Sequence, residues 1–251
     1  MVINSTSFAF PQQAVFDGFG DLWVSDNLSN AVFVFTPQQL SATNANASPI
    51  ASITSTTPFQ GTLGITFDAA GDLFVANNAS TTIYGFAANQ LPATSGSFQL
   101  TPAVILSDDG NGSIQAPWAL AFDANGNLYS SNANAPFTVV AFSAASLTVT
   151  SSPTPAITIA PSNDGNSSTL AAPNGIAFDN LGDLAAISSA TPFGTALYGV
   201  NQVTMSGTLM PNTLLVGNTT TLNAPAGCNF GPVVNWPPTE GRSRGRARLS
   251  G

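Results

Sequence analysis

Short apolar segments alternate with polar turns along most of this chain, and groups of four such segments recur in a fixed order. The clearest marker of the recurring unit is Phe-Asp-x-x-Gly-Asp/Asn-Leu. It begins at Phe16, Phe67, Phe122 and Phe178, in steps of 51, 55 and 56 residues. Self-similarity at this interval predicts one supersecondary unit repeated in tandem, with each unit burying a face that its neighbour covers.

The four segments of each repeat are short and rich in β-branched and aromatic residues. The first ends at the recurring Phe. The second begins at Leu22, Leu73, Leu128 and Leu184, the third at Val32, Ile83, Val139 and Leu197, and the fourth at Ile50, Ala103, Ala156 and Thr213. Gly, Pro, Asn and Ser separate them, and no stretch keeps a helical period. This pattern predicts strands throughout.

Four antiparallel strands per repeat, arranged around a common axis, form the blade of a β-propeller. We therefore predict an all-β propeller with four complete repeats and the start of a fifth. The predicted blades span about 14–54, 64–107, 119–160 and 175–217 of a single domain, 1–236. A linear stack of sheets is the competing arrangement.

The C-terminal part of the chain departs from the repeats. LNAPAGCNF aligns with LAAPNGIAF, so a partial fifth repeat is expected at 222–236, but its Asp-x-x-Gly turn is missing. The Arg-rich tail 237–251 holds all 4 basic residues and has a non-native composition. A basic arm for nucleic acid or anionic lipid is the other interpretation of this tail. Four blades and a first strand could close as a small ring, belong to a larger propeller, or associate with a second copy.

Composition limits the function classes. With 43% hydrophobic residues the 251-residue chain can bury one sizeable core. The chain has 12 carboxyl side chains and no Lys or His, and the repeats lack Arg, so salt bridges cannot hold the repeats together. Repulsion from phosphates argues against nucleic-acid binding by the repeat body. The single Cys, Cys228, excludes an intrachain disulfide framework.

Localisation is expected from composition alone. Low charge, the lack of Lys and Ser/Thr/Asn-rich loops favour an exported or cell-surface protein. No stretch of about 20 apolar residues predicts a membrane span. No signal peptide is visible, and a truncated N-terminus would account for that.

The marker also resembles a known repeat. PNGIAFDNLGDL, from Pro173 to Leu184, is similar to the NHL repeat, and Trp23-Val24 and Phe74-Val75 match its aromatic-Val step. The resemblance covers residues 11 to about 217 and implies a bacterial NHL-like or gluconolactonase-like six-bladed propeller, here in part. Gluconolactonase-like members hold a divalent cation with Glu, Asn and Asp, but the only Glu of this chain is Glu240, outside the repeats. Streptogramin-lyase-like members depend on a His, which is missing.

One Asp per repeat follows the first segment and is a candidate metal ligand. These residues are Asp17, Asp68, Asp123 and Asp179. A ring of carboxylates at one channel mouth could collect a cation. The periodicity favours the alternative, a turn residue with the same backbone role in every blade.

Two matching loops, DDGNGS from Asp108 and NDGNSS from Asn163, resemble half of a calcium loop. Their candidate ligands are Asp108, Asp109 and Asp164. The Glu that completes an EF-hand loop is absent, since Ala119 stands at position twelve from Asp108. Calcium or another divalent cation is the cofactor that these residues predict, and plain Asp-Gly and Asn-Gly turns are the alternative.

Polar residues after the second segment vary between repeats, as binding loops on a fixed scaffold do. The candidates are Asp26, Asn27, Asn77, Asn78, Asn132 and Asn134. They could recognise sugar hydroxyls or a hard cation, with turn formation as the alternative. Trp118 stands where other repeats carry Gln12, Leu63 and Asn174, and it could stack on a sugar or a peptide ring or pack between blades.

Two functions from different classes follow. The first is a non-catalytic binding module that recognises a protein or a glycan through its loops, and it is favoured by the absence of His, Lys and repeat-borne Glu. The second is a metal-dependent hydrolase or lactonase of the gluconolactonase-like type, with Asp and Asn ligands.

Overall fold

The structure is a computed structural model and describes residues 4–41, 46–162, 170, 172–189 and 194–216. Within these residues the chain forms 18 β-strands and two short 3-10 helices, η1 (Asn78–Ser80) and η2 (Ala144–Thr148). Four sheets result, and their innermost strands pack side by side in chain order. The predicted all-β propeller is confirmed.

Each sheet is a blade in which four strands pair antiparallel from the axis outwards. Blade 1 contains β1 (Pro11–Phe16), β2 (Leu22–Asp26), β3 (Ala31–Phe35) and β4 (Ala51–Ser55). Blade 2 contains β5 (Thr62–Phe67), β6 (Leu73–Asn77), β7 (Thr82–Phe86) and β9 (Val104–Ser107). Blade 3 contains β10 (Pro117–Phe122), β11 (Leu128–Asn132), β12 (Val139–Phe142) and β13 (Ile157–Ala160). Blade 4 contains β14 (Pro173–Phe178), β15 (Leu184–Ser188), β16 (Gly194–Tyr198) and β18 (Thr213–Val216).

Two remaining strands, β8 (Gly96–Leu100) and β17 (Gly207–Thr208), link neighbouring blades. β8 comes from the linker between the third and fourth strands of blade 2, but it pairs in parallel with β4 of blade 1. β17 of blade 4 pairs in the same way with β13 of blade 3. Blade 3 contributes a single parallel bridge, from Ser151 to Leu106 of blade 2. Each linker therefore adds an outer strand or bridge to the preceding blade, which the repeat pattern did not predict.

A Gln side chain closes the base of three of these linkers. Gln90 Oε1 accepts a hydrogen bond from Ala87 N at 2.9 Å, and its Nε2 donates to Thr101 O at 3.0 Å. Gln39 and Gln202 make the equivalent pair of bonds in blades 1 and 4. The two ends of each linker are thus held together, and in blades 2 and 4 the middle of the linker reaches the preceding blade.

Hydrophobic clusters fill the spaces between consecutive blades. In each, an aromatic ring from the second strand of one blade meets, edge-on, the recurring Phe of the next. The pairs are Trp23–Phe67 at 5.3 Å, Phe74–Phe122 at 5.3 Å and Tyr129–Phe178 at 4.8 Å between ring centroids. Such pairs contribute about 0.5–1.5 kcal/mol beyond the area they bury. Near the axis, the backbone of Trp118 lies so close to Gly64 that a Cβ at position 64 would clash with it.

Strand three of blade 4 corrects one detail of the prediction. The sequence pattern places it from Leu197, but β16 ends at Tyr198, which pairs with Leu184 as Phe35 pairs with Leu22. The cause is a local similarity of LYGV to IYGF of blade 2, which shifts the alignment by two residues. The predicted fifth repeat at 222–236 and the tail 237–251 lie outside the described residues, and the domain bounds stay a prediction.

Candidate ligand-binding face

The strand ends form two faces. The turn face carries the turns between first and second strands, residues 17–21, 68–72, 123–127 and 179–183. The loop face carries the loops between second and third strands, including 27–30, 78–81 and 133–138, and the segments that enter the first strands, including 4–10, 56–61 and 108–116. Seven of the ten carboxyl side chains among the described residues lie on the turn face.

The four Asp residues proposed as a cation ring shape the turn face. In each, Oδ1 accepts hydrogen bonds from the N–H groups two and four residues ahead, with the bond to the fourth at 2.8–3.0 Å. In each turn, the Gly three residues after this Asp has a positive φ, such as 79° at Gly126. Asp17, Asp68, Asp123 and Asp179 thus have the turn role that periodicity favoured.

Further hydrogen bonds on this face join the turn after the first strand to the turn after the third strand of the same blade. Asp72 Oδ1 accepts from Ala88 N at 2.7 Å, and Asp183 Oδ1 accepts from Val200 N at 2.7 Å. The described residues contain no group of three or more His, Cys, Asp or Glu side chains placed to hold a metal ion. A metal role for the four recurring Asp residues remains a prediction.

Two groups on the turn face have raised pKa values. Burial raises the pKa of Asp68, the charge of Asp72 adds to the rise, and the N–H groups of Asp72, Ala70 and Gly71 oppose it. Burial and, second, the charge of Asp123 raise the pKa of Tyr129 to about 12. The Tyr129 hydroxyl donates to Val203 O at 2.8 Å, so it ties blade 3 to blade 4.

On the loop face, the last residue of the second strand is a buried anchor in blades 1, 2 and 3. Asp26 Oδ2 accepts from Ala9 N at 2.8 Å and from Phe10 N at 2.9 Å. Its Oδ1 accepts from the N–H and the hydroxyl of Ser29 at 3.0 and 2.8 Å. The side chain therefore fastens the segment that enters β1 to the loop that follows β2.

Asn77 and Asn132 occupy the same position in blades 2 and 3, and each also binds the segment that enters the first strand. Asn77 Oδ1 accepts from Gln60 N at 2.5 Å, and Asn132 Oδ1 accepts from Gln115 N at 2.9 Å. Both side chains, like Asp26, are fully buried. The sequence named them as ligand candidates; a ligand would reach them only if the covering segments moved, and that role remains a prediction.

The neighbouring amides are partly exposed and connect blades. Asn78 Nδ2 donates to Pro117 O at 3.3 Å, across the boundary from blade 2 to blade 3. Asn30 Oδ1 accepts from Gly61 N at 2.8 Å across the boundary from blade 1 to blade 2. Asn27 lies half-exposed beside Gly61.

The DDGNGS loop forms a closed set of internal hydrogen bonds. Asp108 accepts from the N–H groups of Ile114 and Gly110 and from the Ser113 hydroxyl, at 3.0–3.2 Å. Burial alone would raise the pKa of Asp108, but these donors hold it below its ordinary value. The Asn111 N–H lowers the pKa of Asp109. Asp164 lies outside the described residues.

Blade 3 presents an open part of the loop face. Asn134, Ala135 and Pro136 are exposed, and Trp118 and Phe137 are partly exposed. The peptide bond before Pro136 is cis. A Cβ on Gly112 would lie 3.9 Å from Pro136, which shows that the DDGNGS loop and the 133–138 loop are adjacent.

Several residues that position the loop face were not among the candidates predicted from the sequence. The Ser25 hydroxyl accepts from Gln13 N, and that of Ser131 accepts from Ala119 N, both at 3.0 Å, at the irregular register of each first strand. Gln13 Oε1 accepts from Ile65 N at 3.1 Å, between the innermost strands of blades 1 and 2. The recurrence of Ser one residue before the buried anchor was the available signal.

The residue before a first strand is also unusual. Gly61, Ala116 and Ala172 all adopt a positive φ, of 80°, 49° and 51°. The left-handed conformation costs a residue with a Cβ about 1–2 kcal/mol. The entry to the loop face is therefore strained in blades 3 and 4 but not in blade 2.

In the described residues, no helix is both long and apolar enough to cross a bilayer. No family model matches this sequence, and no curated protein does. The likeness to NHL repeats therefore rests on the motifs alone.

Solved structures with similar architecture do exist. Virginiamycin B lyase from Staphylococcus aureus matches with a TM-score of 0.54 and 11% identity over 86% of this chain and 58% of the lyase. Its catalytically inactive form with quinupristin matches with 0.52 and 12% over 88% and 60%. A protein of unknown function from Bacteroides caccae matches with 0.61 and 11% over 90% and 73%. The chain thus spans less than two thirds of the lyases, and at these identities the likeness shows the β-propeller fold alone.

Proposed function

We propose that this chain is a non-catalytic, NHL-like propeller module, exported or at the cell surface, that binds a protein or a glycan through its loop face. The observation that carries the proposal is the anchor formed by Asp26, Asn77 and Asn132. The same buried position fastens the loop face in three blades, whereas the loops that follow it differ in sequence and conformation. A fixed scaffold with variable loops is the usual arrangement of a recognition surface.

Blade 3 is the proposed centre of recognition. Trp118 and Phe137 offer partly exposed rings beside the exposed segment 134–136. An aromatic face stacks on the apolar side of a sugar or on a peptide ring, and an amide such as Asn134 both donates and accepts hydrogen bonds.

Charge limits the partner. The repeats hold no Lys, Arg or His, and the lowered pKa values of Asp108 and Asp109 keep their carboxylates ionised at neutral pH. A neutral or cationic partner fits this surface better than an anionic one, because like charges repel.

Lyase chemistry is not part of the proposal. The inactive virginiamycin B lyase carries an Ala in place of a His. These 251 residues contain no His.

Binding to arrays of glycans and of peptides tests the proposal with a matched pair of variants. Asn134→Ala lies on the loop face of blade 3, and Asn125→Ala lies on its turn face; both residues are exposed. We expect Asn134→Ala and Trp118→Ala to weaken binding of a hit about tenfold, and Asn125→Ala to leave it unchanged. Equal loss in both Asn variants, or hits on neither array, contradicts the proposal.

A metal-dependent hydrolase is the alternative function. The observation that favours it is the position of two adjacent carboxylates, Asp108 and Asp109, in one loop of the loop face. Calorimetric titration with Ca²⁺, Mg²⁺, Mn²⁺ and Zn²⁺ tests it, with Asp108→Asn as the variant. A binding isotherm that Asp108→Asn abolishes, together with turnover of lactones that a chelator stops, would favour the hydrolase over the binding module.

A further inference from the structure

The junction between blades 1 and 2 shows what a complete inter-blade contact looks like. On the side of blade 2 that faces blade 1, Phe59, Phe67, Leu73 and Leu91 are 1–8% exposed. They pack with Trp23 and the other residues of blade 1 in one cluster. We call this side of a blade its upstream face, and the opposite side its downstream face.

The upstream face of blade 1 carries the same kinds of residue at the same positions. Phe8, Phe16, Leu22 and Leu40 correspond to Phe59, Phe67, Leu73 and Leu91. Phe16 is 58% exposed, and the other three are only partly buried. Within the described residues, blade 1 therefore has the residues of a junction but no opposite half.

The rest of this face forms a cluster of its own. Val24, Phe33 and Phe35 pack with Ala31 and Ala47, and the ring of Phe8 lies 5.5 Å from Phe35. In the other three clusters, two blades contribute. A groove of about 370 Å³ opens on this face beside Phe33.

The opposite half of such a junction exists on the downstream face of blade 4. Thr195 and Leu197 take the positions that Val32 and Val34 have in blade 1, and both are half-buried. β18 is the outermost described strand of blade 4. The outer strands of blades 1 and 3 each accept a parallel strand from the next blade, so β18 offers the edge at which a following blade would be joined.

We propose that a second copy of this chain completes the junction, with the downstream face of its blade 4 against the upstream face of blade 1. The interface continues the series of contacts already present three times within the chain, and neither face presents a charged side chain at these positions. The contact is head-to-tail, so it closes only if the rotation per blade permits. The described residues of two copies contain eight blades, within the range of four to eight typical of propellers.

Light scattering on the full chain over a wide concentration range tests the proposal. We expect a concentration-dependent dimer with twice the 25.5 kDa chain mass. Each chain carries a net charge of −8, so added salt should strengthen the dimer by screening the repulsion. A chain that stays monomeric at every concentration and salt level overturns the proposal, as does a series of ever larger oligomers, which an unclosed contact would give.

Variants locate the interface. Phe16→Asp should raise the dimer dissociation constant about 30-fold or more, as expected for a central aromatic contact. The matched control is Val149→Asp, at a residue 60% exposed on blade 3. A second variant, Leu40→Asp, at a partly buried residue of the same face, covers the case in which Phe16→Asp does not fold. A dimer that survives both substitutions overturns the proposal.

The main competing occupant is a segment of the same chain, such as residues 217–251. In that case the chain would be monomeric, and Phe16→Asp would lower the melting temperature more than Val149→Asp at every protein concentration. That combination would likewise overturn the assignment of a second copy.

Discussion

The turn face and the loop face solve the same problem, joining antiparallel strands, in different ways. On the turn face, one Asp per blade makes the same two backbone hydrogen bonds within five residues of chain. On the loop face, one buried anchor in each of blades 1 to 3 binds a segment 16–17 residues away in sequence. Local bonds allow little variation, whereas the longer-range anchor leaves the loop beyond it free to differ.

The comparison teaches where diversity can be tolerated. In a turn whose geometry is set by Asp and Gly, both residues have a backbone role, so neither can be replaced without changing the turn. A loop whose two ends are fastened by a buried side chain can change its middle without loss of the scaffold.

The sharpest test of the loop-face anchor is Asp26→Ala. It leaves the donors of Ala9, Phe10 and Ser29 without their acceptor at a partly buried place and removes a fully buried side chain. We expect a loss of about 3–4 kcal/mol in the free energy of unfolding, measured by urea denaturation.

Asn27→Ala, at the adjacent half-exposed residue, is its control and should cost less than about 0.5 kcal/mol. Asp26→Asn keeps one acceptor oxygen and should fall between the two. Equal losses for Asp26→Ala and Asn27→Ala would contradict the anchor.

On the turn face, Asp123→Ala should cost about 2 kcal/mol, because it removes the acceptor of the Asn125 and Asn127 N–H groups in a partly solvated turn. Water can replace part of what is lost there, so the cost is smaller than at Asp26. Urea denaturation of Asp123→Ala beside Asn125→Ala measures it. A larger loss than for Asp26→Ala would reverse the ranking of the two faces.

The strained entries to the first strands give a pair of opposite substitutions. Ala116→Gly should stabilise the protein by about 0.5–1 kcal/mol, because Gly adopts a positive φ without steric cost. Gly61→Ala should destabilise it by about 1–2 kcal/mol, and its Cβ would also meet Asn27 Nδ2 at 3.4 Å. Thermal melts check both, and two shifts of the same sign would contradict the role of backbone strain.

The smallest effects concern pH. The folded-state pKa of Asp108 is lowered, so its stabilisation is present above the ordinary pKa of Asp and is lost as pH falls through the lowered value. The folded-state pKa of Asp68 is raised, so its ionised form costs stability at neutral pH and the cost disappears as pH falls.

Stability against pH for the two Asn variants distinguishes these signs. Asp108→Asn should be less stable than the parent chain at neutral pH and approach it in acid. The stability of Asp68→Asn relative to that of the parent chain should be higher at neutral pH than in acid. Parallel curves for all three proteins would contradict both assignments.

The turn face could be predicted from the sequence because its interactions are local. Asp-x-x-Gly-Asp/Asn-Leu specifies the acceptor, the positive φ and the first residue of the next strand within six positions. The first three strands of each blade followed for the same reason, since each of them pairs with its neighbour in the chain.

The loop face and the blade connections could not be predicted in this way. Asp26 and Asn132 look like exposed loop residues in sequence, and only the covering segments from the preceding linker bury them. β8 has few strand-forming residues, and its partner β4 lies some 45 residues earlier. A polar residue recurs at the end of the second strand in blades 1 to 3, but the sequence does not show which distant segment covers it.

The linker strands have a consequence for how such a protein can change in length. The sequence repeat and the folded blade do not coincide, because β8 is encoded with blade 2 but completes the sheet of blade 1. A deletion of one repeat by recombination would therefore damage the blade on either side of the cut. Gain or loss of blades in this lineage would need linkers that can serve a new neighbour.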